Sequence, residues 1–278
     1  MLPPILLAGR RRLLDAWERR HRPERIRQLE REHLAQNQGL AGDEICIRNG
    51  ITLKIHPESR YAFDYFCFVS PPMVDELDGF LRRASGKFRL LDVGALHGIF
   101  ALAFTSGSEA RSAVAVDASP YAFAKLLYNI HKNPVCRVTP VECALTDKPG
   151  VLPMAYEGQH AVASSLDPRN KPAVGITANT GDALCEELGF APDVIKIDVE
   201  GHEVKVLQGL AGVLARHRPL IFLELHPQRI RMENETLLPV IELLERHRYR
   251  ALLPDSSPCE LKSLSQFDDD IRLVLTGD

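Results

Sequence analysis

Two aspartates, each placed in or after a short apolar run, have the clearest chemical meaning in this sequence. Asp92 is followed by Gly94 and Gly98, and Asp117 ends the apolar run 112–117. An acid at the carboxyl end of a strand can accept hydrogen bonds from ribose hydroxyl groups, and glycines let the backbone approach a ligand closely. The spacing of about 25 residues between the acids predicts strand, turn, helix and strand, which is typical of a nucleoside cofactor site.

The order of these residues distinguishes two classes of nucleotide-binding protein. Dinucleotide enzymes favour G-x-G-x-x-G, whereas here Asp92 precedes Gly94 and Gly98, and bulky Leu96 stands where a second close glycine would be. This order resembles the first motif of S-adenosylmethionine-dependent methyltransferases. The stretch 193–203, D-V-I-K-I-D-V-E-G-H-E, is similar to the K-I-D-V-E-G signature of FkbM-type methyltransferases. The resemblance extends over about residues 88–227.

The resemblance implies S-adenosyl-L-methionine as cofactor and indicates which positions would bind it. These positions are Asp92, Gly94, Ala95, Gly98, Asp117, Ala118, Asp147 and Asp198. Asp147 ends A-L-T-D, which is similar to the family's A-L-S-D beside the adenine, and it either accepts from the adenine amine or only initiates a turn. Two positions depart from the family: Leu96 replaces a frequent asparagine, and Asp117-Ala118 replaces Glu-Pro.

Polar side chains interrupt the fourth and fifth strands of the predicted sheet, although central parallel strands are usually apolar. They are Lys196, Asp198, Glu200, Glu224 and His226. These residues fall near the carboxyl ends of the strands, where α/β proteins bind ligands. We expect His226, oriented by Glu224, to be the general base that removes a hydroxyl proton, with Asp198 as the other candidate base. A purely structural Lys196–Glu224 ion pair is the alternative.

Other assignments of these side chains remain open from sequence. Asp198, Glu224 and His226 could together bind a divalent metal, but their spacing alone does not favour this, and we expect no metal. His97 and His202 are weaker candidates for the base. A histidine without a defined partner is more often structural than catalytic.

The alternation of strands and helices predicts an α/β fold with a Rossmann-like, seven-stranded methyltransferase sheet. The sheet should be mostly parallel with the last strand antiparallel, because no helix is predicted between the last two strands. We expect residues 1–87 to form an N-terminal helix, a β-hairpin and a flanking helix. Residues 88–278 should form the S-adenosylmethionine-binding methyltransferase domain.

The N-terminal region carries two local signals. Asn49-Gly50 between alternating segments predicts a hairpin with a type I′ turn. The stretch from about residue 10 to residue 36 favours a helix and is rich in arginine and glutamate. Such a helix would pack on the domain or form a homodimer, and a membrane-surface or partner-docking helix is the less favoured alternative.

Composition excludes several classes of protein. The chain has 278 residues, 45% of them hydrophobic and 26% charged, and its net charge of -3 does not favour nucleic-acid binding. The six cysteines form no C-x-x-C pair, so neither a zinc site nor a disulfide framework is predicted. The apolar stretch 3–9 is too short to span a bilayer and lacks preceding basic residues, so we expect a cytoplasmic protein without stable membrane insertion.

Taken with the resemblance, these features predict an S-adenosylmethionine-dependent O-methyltransferase. The resemblance implies a small-molecule or glycan acceptor, with a hydroxyl group on a sugar, glycan or secondary metabolite. An NAD-dependent oxidoreductase and a non-catalytic Rossmann-like module that binds a partner are the alternatives.

Overall fold

The computed structural model describes residues 24, 25, 27–29, 31–157, 160–163 and 173–277. Predictions for residues 1–23, which include the first half of the N-terminal helix, lie outside the described residues. Within the described part of the chain, no helix is both long and apolar enough to cross a lipid bilayer.

Strands and helices are labelled here in chain order. The strands are β1 (Glu44–Cys46), β2 (Thr52–Lys54), β3 (Arg89–Val93), β4 (Ser112–Asp117), β5 (Val138–Glu142), β6 (Ala144–Leu145), β7 (Gly150–Glu157), β8 (His160–Ala163), β9 (Val174–Asn179), β10 (Val194–Ile197), β11 (Leu220–Leu225), β12 (Tyr249–Leu252), β13 (Pro258–Cys259) and β14 (Ile271–Gly277). The described residues of 24–37 are helical and form α1. The later helices are α2 (Arg60–Asp64), α3 (Pro71–Arg83), α4 (Ile99–Ser106), α5 (Pro120–Lys132), α6 (Gly181–Glu187), α7 (Glu203–Gly209), α8 (Ala211–His217), α9 (Pro227–Met232) and α10 (Leu238–Arg246). A π-helix, Tyr65–Val69, connects α2 to α3, and 3-10 helices span Pro57–Ser59 and Leu261–Gln266.

The main sheet is mixed and has eight strands in the order β13-β12-β14-β11-β10-β3-β4-β5. The five strands from β11 to β5 are parallel, and β14 pairs antiparallel with β11. The predicted number of seven strands is wrong by one, because the two-residue strand β13 pairs with β12 at the edge. Two residues are too few to show the alternation by which a strand is recognised in sequence.

Apolar side chains bury both faces of the parallel strands. In β3, Leu91 and Val93 join a core formed with the helices from α6 to α10, whereas Leu90 joins a second core on the opposite face. Neighbouring residues of a strand point to opposite faces, so each central strand contributes to both cores. This packing fixes the positions of the strand ends, where the polar residues lie.

A second, four-stranded sheet has the order β6-β9-β7-β8. Strands β7 and β8 form an antiparallel pair, and a single residue separates the end of β5 from β6. Met154 and Ala161 from this pair reach the cavity described below. The small sheet therefore covers part of the rim of the main sheet.

The segment from β1 to α3 packs on the main sheet. Ile45, Leu53 and Phe80 belong to the same buried core as Phe100 and Phe222. The ring centroids of Phe80 lie 5.1 Å from Phe100 and 4.9 Å from Phe222. A domain boundary at residue 87 remains a prediction, as does dimerisation through the N-terminal helix.

The β1–β2 hairpin is present, but its turn is not the type I′ turn predicted from Asn49-Gly50. Type I′ needs positive φ at both central residues, and only Gly50, with φ of 79°, has it. Asn49 is instead held by tertiary contacts, since its Nδ2 donates to the carbonyl of Ala103 at 3.1 Å. Contact with α4 therefore overrides the local turn preference.

Candidate active site

A cavity of about 320 Å³ opens at the carboxyl ends of the parallel strands. Most of the sequence-predicted site residues line it. These are Asp92, Gly94, Ala95, Asp117, Ala118, Asp198, Glu224 and His226. Gly98 and Asp147 are not among the lining residues. Lys196, Glu200 and His202 also line the cavity, together with aromatic residues of α2 and the π-helix.

The turn after β3 requires glycine for reasons of space and of backbone conformation. Gly94 has φ of 79°, and a Cβ atom there would lie 1.8 Å from the backbone oxygen of Asp198. Gly98, with φ of 86°, begins α4, and a Cβ atom on it would approach Leu126 to 2.6 Å. Gly94 therefore lets the turn pack directly against the backbone that follows β10, whereas Gly98 allows α4 and α5 to pack closely.

Asp117 is buried and accepts two backbone hydrogen bonds. The N–H of Leu96 donates to Oδ2 at 2.7 Å, and the N–H of Ser119 donates to Oδ1 at 2.8 Å. Burial raises the pKa of Asp117 to about 7. A carboxylate has about four acceptor sites, so two remain for a ligand in the cavity, which fits a ribose with two hydroxyl groups.

Asp92 is also buried, one strand nearer the centre of the sheet. Its Oδ2 accepts from the N–H of Ala101 at 3.2 Å, which ties the strand to the first turns of α4. Burial raises its pKa to about 7. Asp92 and Asp117 thus place acidic groups at neighbouring strand ends, as the motif spacing predicted.

Lys196 is buried between two acids. Its Nζ lies 3.2 Å from Oε1 of Glu76 and 3.3 Å from Oδ2 of Asp198. Burial lowers its pKa, but these two carboxylates outweigh that effect and raise the pKa above the ordinary value. Lys196 is therefore a buried cation that joins helix α3 to strand β10.

The Lys196–Glu224 pair considered from sequence is not formed. Glu224 instead pairs with Arg272, which stands directly opposite it in the antiparallel β11–β14 ladder. Arg272 also binds Glu76, with Nε 2.7 Å from Oε2. Burial raises the pKa of Glu224 to about 8. Strand register, and not sequence proximity, selects the partner of Glu224.

His226 is buried and is held by Glu203, not by Glu224 as expected. Its Nδ1 lies 2.8 Å from Oε1 of Glu203, the same oxygen that accepts from the N–H of Gly201 at 2.9 Å. Burial lowers the pKa of the imidazole, but the hydrogen bond and the charge of Glu203 outweigh it, and the pKa rises to about 9. Because Nδ1 is engaged, Nε2 is the nitrogen left for chemistry.

Nε2 of His226 faces two carboxylates. It lies 3.5 Å from Oε2 of Glu200 and 4.0 Å from Oδ1 of Asp198. Glu200 has a backbone φ of 56°, which residues other than glycine rarely adopt. Such backbone outliers occur often at functional sites. The signature turn therefore aims its acid at the imidazole.

These three side chains could surround a cation, since their ligand atoms all lie within 4.8 Å of one another. Glu200 takes the place that the sequence analysis gave to Glu224. The negative charges already have partners, because Lys196 lies 3.3 Å from Asp198 and Arg229 lies 3.3 Å from Glu200. Below the raised pKa of His226, the protonated imidazole adds a third positive charge to this cluster.

No role was predicted from sequence for Glu203, Glu76 or Arg272. Glu203 is the last residue of the stretch 193–203, and its position on the apolar, buried side of helix α7 could have indicated a role for it. Glu76 and Arg272 carried no local signal. Both act through contacts between elements that are almost 200 residues apart in the chain.

Asp147 lies beside the cavity, where its side chain is hydrogen-bonded to Thr146. The hydroxyl of Thr146 donates to Oδ1 of Asp147 at 3.1 Å, and Oγ1 of Thr146 lies 3.1 Å from Nε2 of His202. His202 lines the cavity. His97, the other weaker candidate base, is buried in the glycine turn outside the set of lining residues.

Strand order, the glycine turn and the acids at the strand ends define a methyltransferase-like α/β protein. The chain belongs to the methyltransferase FkbM domain family, whose model matches residues 92–251, more than half of the chain. This match confirms the resemblance identified from the two motifs.

The comparisons also identify individual relatives. Hexuronic acid methyltransferase AglP from Haloferax volcanii is 31% identical over 106 residues, which cover 36% of this chain and 41% of that protein. The matched region thus spans less than half the length of this relative. A methyltransferase FkbM from Methylobacillus flagellatus has 17% identity, covers 68% of this chain and 43% of its own, and has a TM-score of 0.45. TYW2 from M. jannaschii, solved in complex with AdoMet, has 13% identity, 84% and 85% coverage and a TM-score of 0.45.

Proposed function

We propose that this protein is an S-adenosylmethionine-dependent O-methyltransferase that acts on a hydroxyl group of a sugar, with a hexuronic acid as the first candidate. One observation carries the proposal: a single cavity connects Asp117, suited to a ribose, with His226, suited to accept a proton. Membership of the FkbM family supports the methyl transfer. The activity named for the Haloferax volcanii relative supports the class of acceptor.

The residues at the strand ends fit the cofactor. Gly94 lets the turn after β3 pack against the backbone of Asp198 at the edge of the cavity space, and Asp117 keeps acceptor capacity for two hydroxyl groups. Asp92 and Asp198 place negative charge beside this space, which suits a ligand with a positive sulfur. The bound cofactor supplies an activated methyl group on that sulfur.

The chain's own residues then bind and deprotonate the acceptor. In its neutral form, which predominates above its pKa of about 9 and is a minor fraction below it, His226 takes the hydroxyl proton on Nε2. Glu203 fixes the ring and stabilises the resulting imidazolium ion. Glu200 and Asp198 flank Nε2 and are acceptors for other hydroxyl groups of a sugar. Alignment of the acceptor with the methyl group contributes the rest of the rate enhancement.

Two measurements test this function. Calorimetry should show binding of S-adenosylmethionine and S-adenosylhomocysteine but not of NAD, and tight binding of NAD alone would favour the oxidoreductase alternative. Transfer of a labelled methyl group to glucuronic or galacturonic acid, or to oligosaccharides that contain them, should then be detected. Cofactor binding without transfer to any hydroxylated acceptor would favour the non-catalytic alternative.

A further inference from the structure

A chain of hydrogen bonds joins three residues at one end of the cavity. Asp147 accepts from Thr146, and Thr146 contacts Nε2 of His202. We infer that His202 uses its Nδ1 atom to accept a hydrogen bond from the exocyclic amino group of the cofactor's adenine, with Asp147 and Thr146 as positioning residues. This inference rests on the proposed function, because it specifies how that cofactor is recognised.

The tautomer of His202 follows from its neighbours. A carboxylate can only accept, so the single hydroxyl proton of Thr146 is directed to Asp147. Oγ1 of Thr146 must then accept from Nε2–H of His202. A neutral imidazole carries one proton, so Nδ1 of His202 is a bare acceptor. Burial lowers the pKa of His202, which favours this neutral form.

Strand order places His202 at the adenine end. His226 follows β11 and Asp198 follows β10, whereas Asp117 ends β4 on the other side of β3. With the ribose at Asp117 and the methyl group near His226, the adenine extends toward β5 and β6. Cavity-lining residues 143–145 lie there, and Thr146 follows them directly. His202 contacts Thr146, so its ring is on this side.

Among the described residues, the His202 side chain has no capping or ion-pair role. It stands at the N-terminus of α7 but makes no capping hydrogen bond. The hydrogen bonds among the described residues leave its Nδ1 without a partner, although the ring lines the cavity. An accessible bare acceptor beside a nucleoside site selects ligands that present a donor there.

The test compares two nucleosides that differ at one position. S-inosylhomocysteine has a carbonyl oxygen where S-adenosylhomocysteine has the amino group. An acceptor instead of a donor would therefore face Nδ1 of His202. Calorimetry on the full-length protein should show that wild type binds S-adenosylhomocysteine at least about tenfold more tightly. His202→Ala should reduce this preference to less than about threefold. The exposed His217 provides the matched control, and His217→Ala should keep the wild-type preference.

Variants of Thr146 distinguish a positioning role of its hydroxyl group from a packing role of its side chain. Thr146→Val keeps the shape but removes the hydroxyl group, and it should weaken the preference for adenine, whereas Thr146→Ser should restore it. An unchanged preference in folded His202→Ala would overturn the inference while leaving the proposed function intact. If the wild-type protein bound neither nucleoside, both the inference and the proposed function would fail.

Discussion

Nδ1 of His226 and Oε1 of Glu203 lie 2.8 Å apart, in contact between the end of strand β11 and the first residue of helix α7. Glu203 is fully buried, and its other oxygen, Oε2, has no hydrogen-bond partner among the described residues. A buried carboxylate with so few donors depends strongly on its one ionisable partner. The pair therefore stabilises a protonated imidazole, which is the state that a general base reaches after it has taken a proton.

His226→Ala should lower turnover by roughly 10²–10⁴-fold, the usual contribution of a general base. Cofactor affinity should change little, because the predicted ribose contact is on β4. Methyl-transfer assays and calorimetry on the same preparation measure both quantities, with His217→Ala as the control. Near-normal turnover, or activity that chelation abolishes and one divalent ion restores, would contradict the role of His226 and favour a metal site.

Glu203→Gln should shift the pH dependence of turnover. A base must be unprotonated to act, so turnover of the wild-type protein should rise with pH up to about 9, the pKa of His226. Without the Glu203 charge, that pKa falls by about 1–3 units, and the rise should occur at correspondingly lower pH. Glu224→Gln should instead lower the Tm, since Arg272 loses a partner. An unshifted pH profile for Glu203→Gln would show that Glu203 has only a structural role.

Asp117→Ala should weaken binding of S-adenosylmethionine by about 10- to 100-fold. The variant leaves two ribose hydroxyl groups without their acceptor, and because water can partly replace it, we expect a net loss of roughly 1.5–3 kcal/mol, the contribution of one hydrogen bond to a charged group. Calorimetry measures the change, with Asp268→Ala as the control, because Asp268 is an exposed acid that pairs with Arg231 and does not line the cavity. Unchanged affinity in a folded variant would refute the assignment of the ribose site.

Gly94→Ala and Gly50→Ala form a matched pair, because both glycines have φ of 79°. Gly50 has no atom within 4 Å of the added Cβ, whereas at Gly94 the Cβ would overlap the backbone oxygen of Asp198. Gly50→Ala should therefore cost only the backbone strain of about 1–2 kcal/mol. Gly94→Ala should lower the Tm further and abolish cofactor binding. Equal Tm values for the two variants would contradict the predicted overlap.

Conformational stability in the absence of ligand should fall as pH rises from 5 to 8. Burial raises the pKa values of Asp92 and Asp117 to about 7, so the folded state binds more protons than the unfolded state in this range. Stability from these groups is complete below their unfolded pKa of about 4 and is lost as pH rises through 7. Denaturant unfolding at several pH values measures the slope. Asp117→Ala should flatten it, and a wild-type slope of opposite sign would refute the prediction.

Local sequence was sufficient to predict the part of the site that is proposed to bind the cofactor. The glycine turn and the acids at 92 and 117 lie within one strand–helix–strand unit, so their spacing alone brings them to neighbouring strand ends. The signature at 193–203 likewise identified the family that the comparisons confirm. Short-range periodicity and turn chemistry decide features of this kind.

The partners of the catalytic candidates could not be predicted in the same way. Alternation along β11 shows that Glu224 and His226 share a side of the strand, but it does not show which chain segment lies opposite. Glu224 meets Arg272 through the register of β14, and His226 meets Glu203 through the packing of α7. Likewise, the strand β6 has only two residues and depends on its pairing with β9.

Glu76 binds side chains that come much later in the sequence, and these contacts affect the order in which the protein folds. During synthesis, α3 emerges early, whereas Lys196 and Arg272, the two cations that bind Glu76, emerge much later. Contacts of such long sequence separation form slowly, because a large loop must close first. Phe80 of α3 can pack on Phe100 and Phe104 early, but it lacks its contact with Phe222 until that residue has been made. We therefore expect nascent chains that end before Phe222 to bind chaperones and to be sensitive to protease at α3.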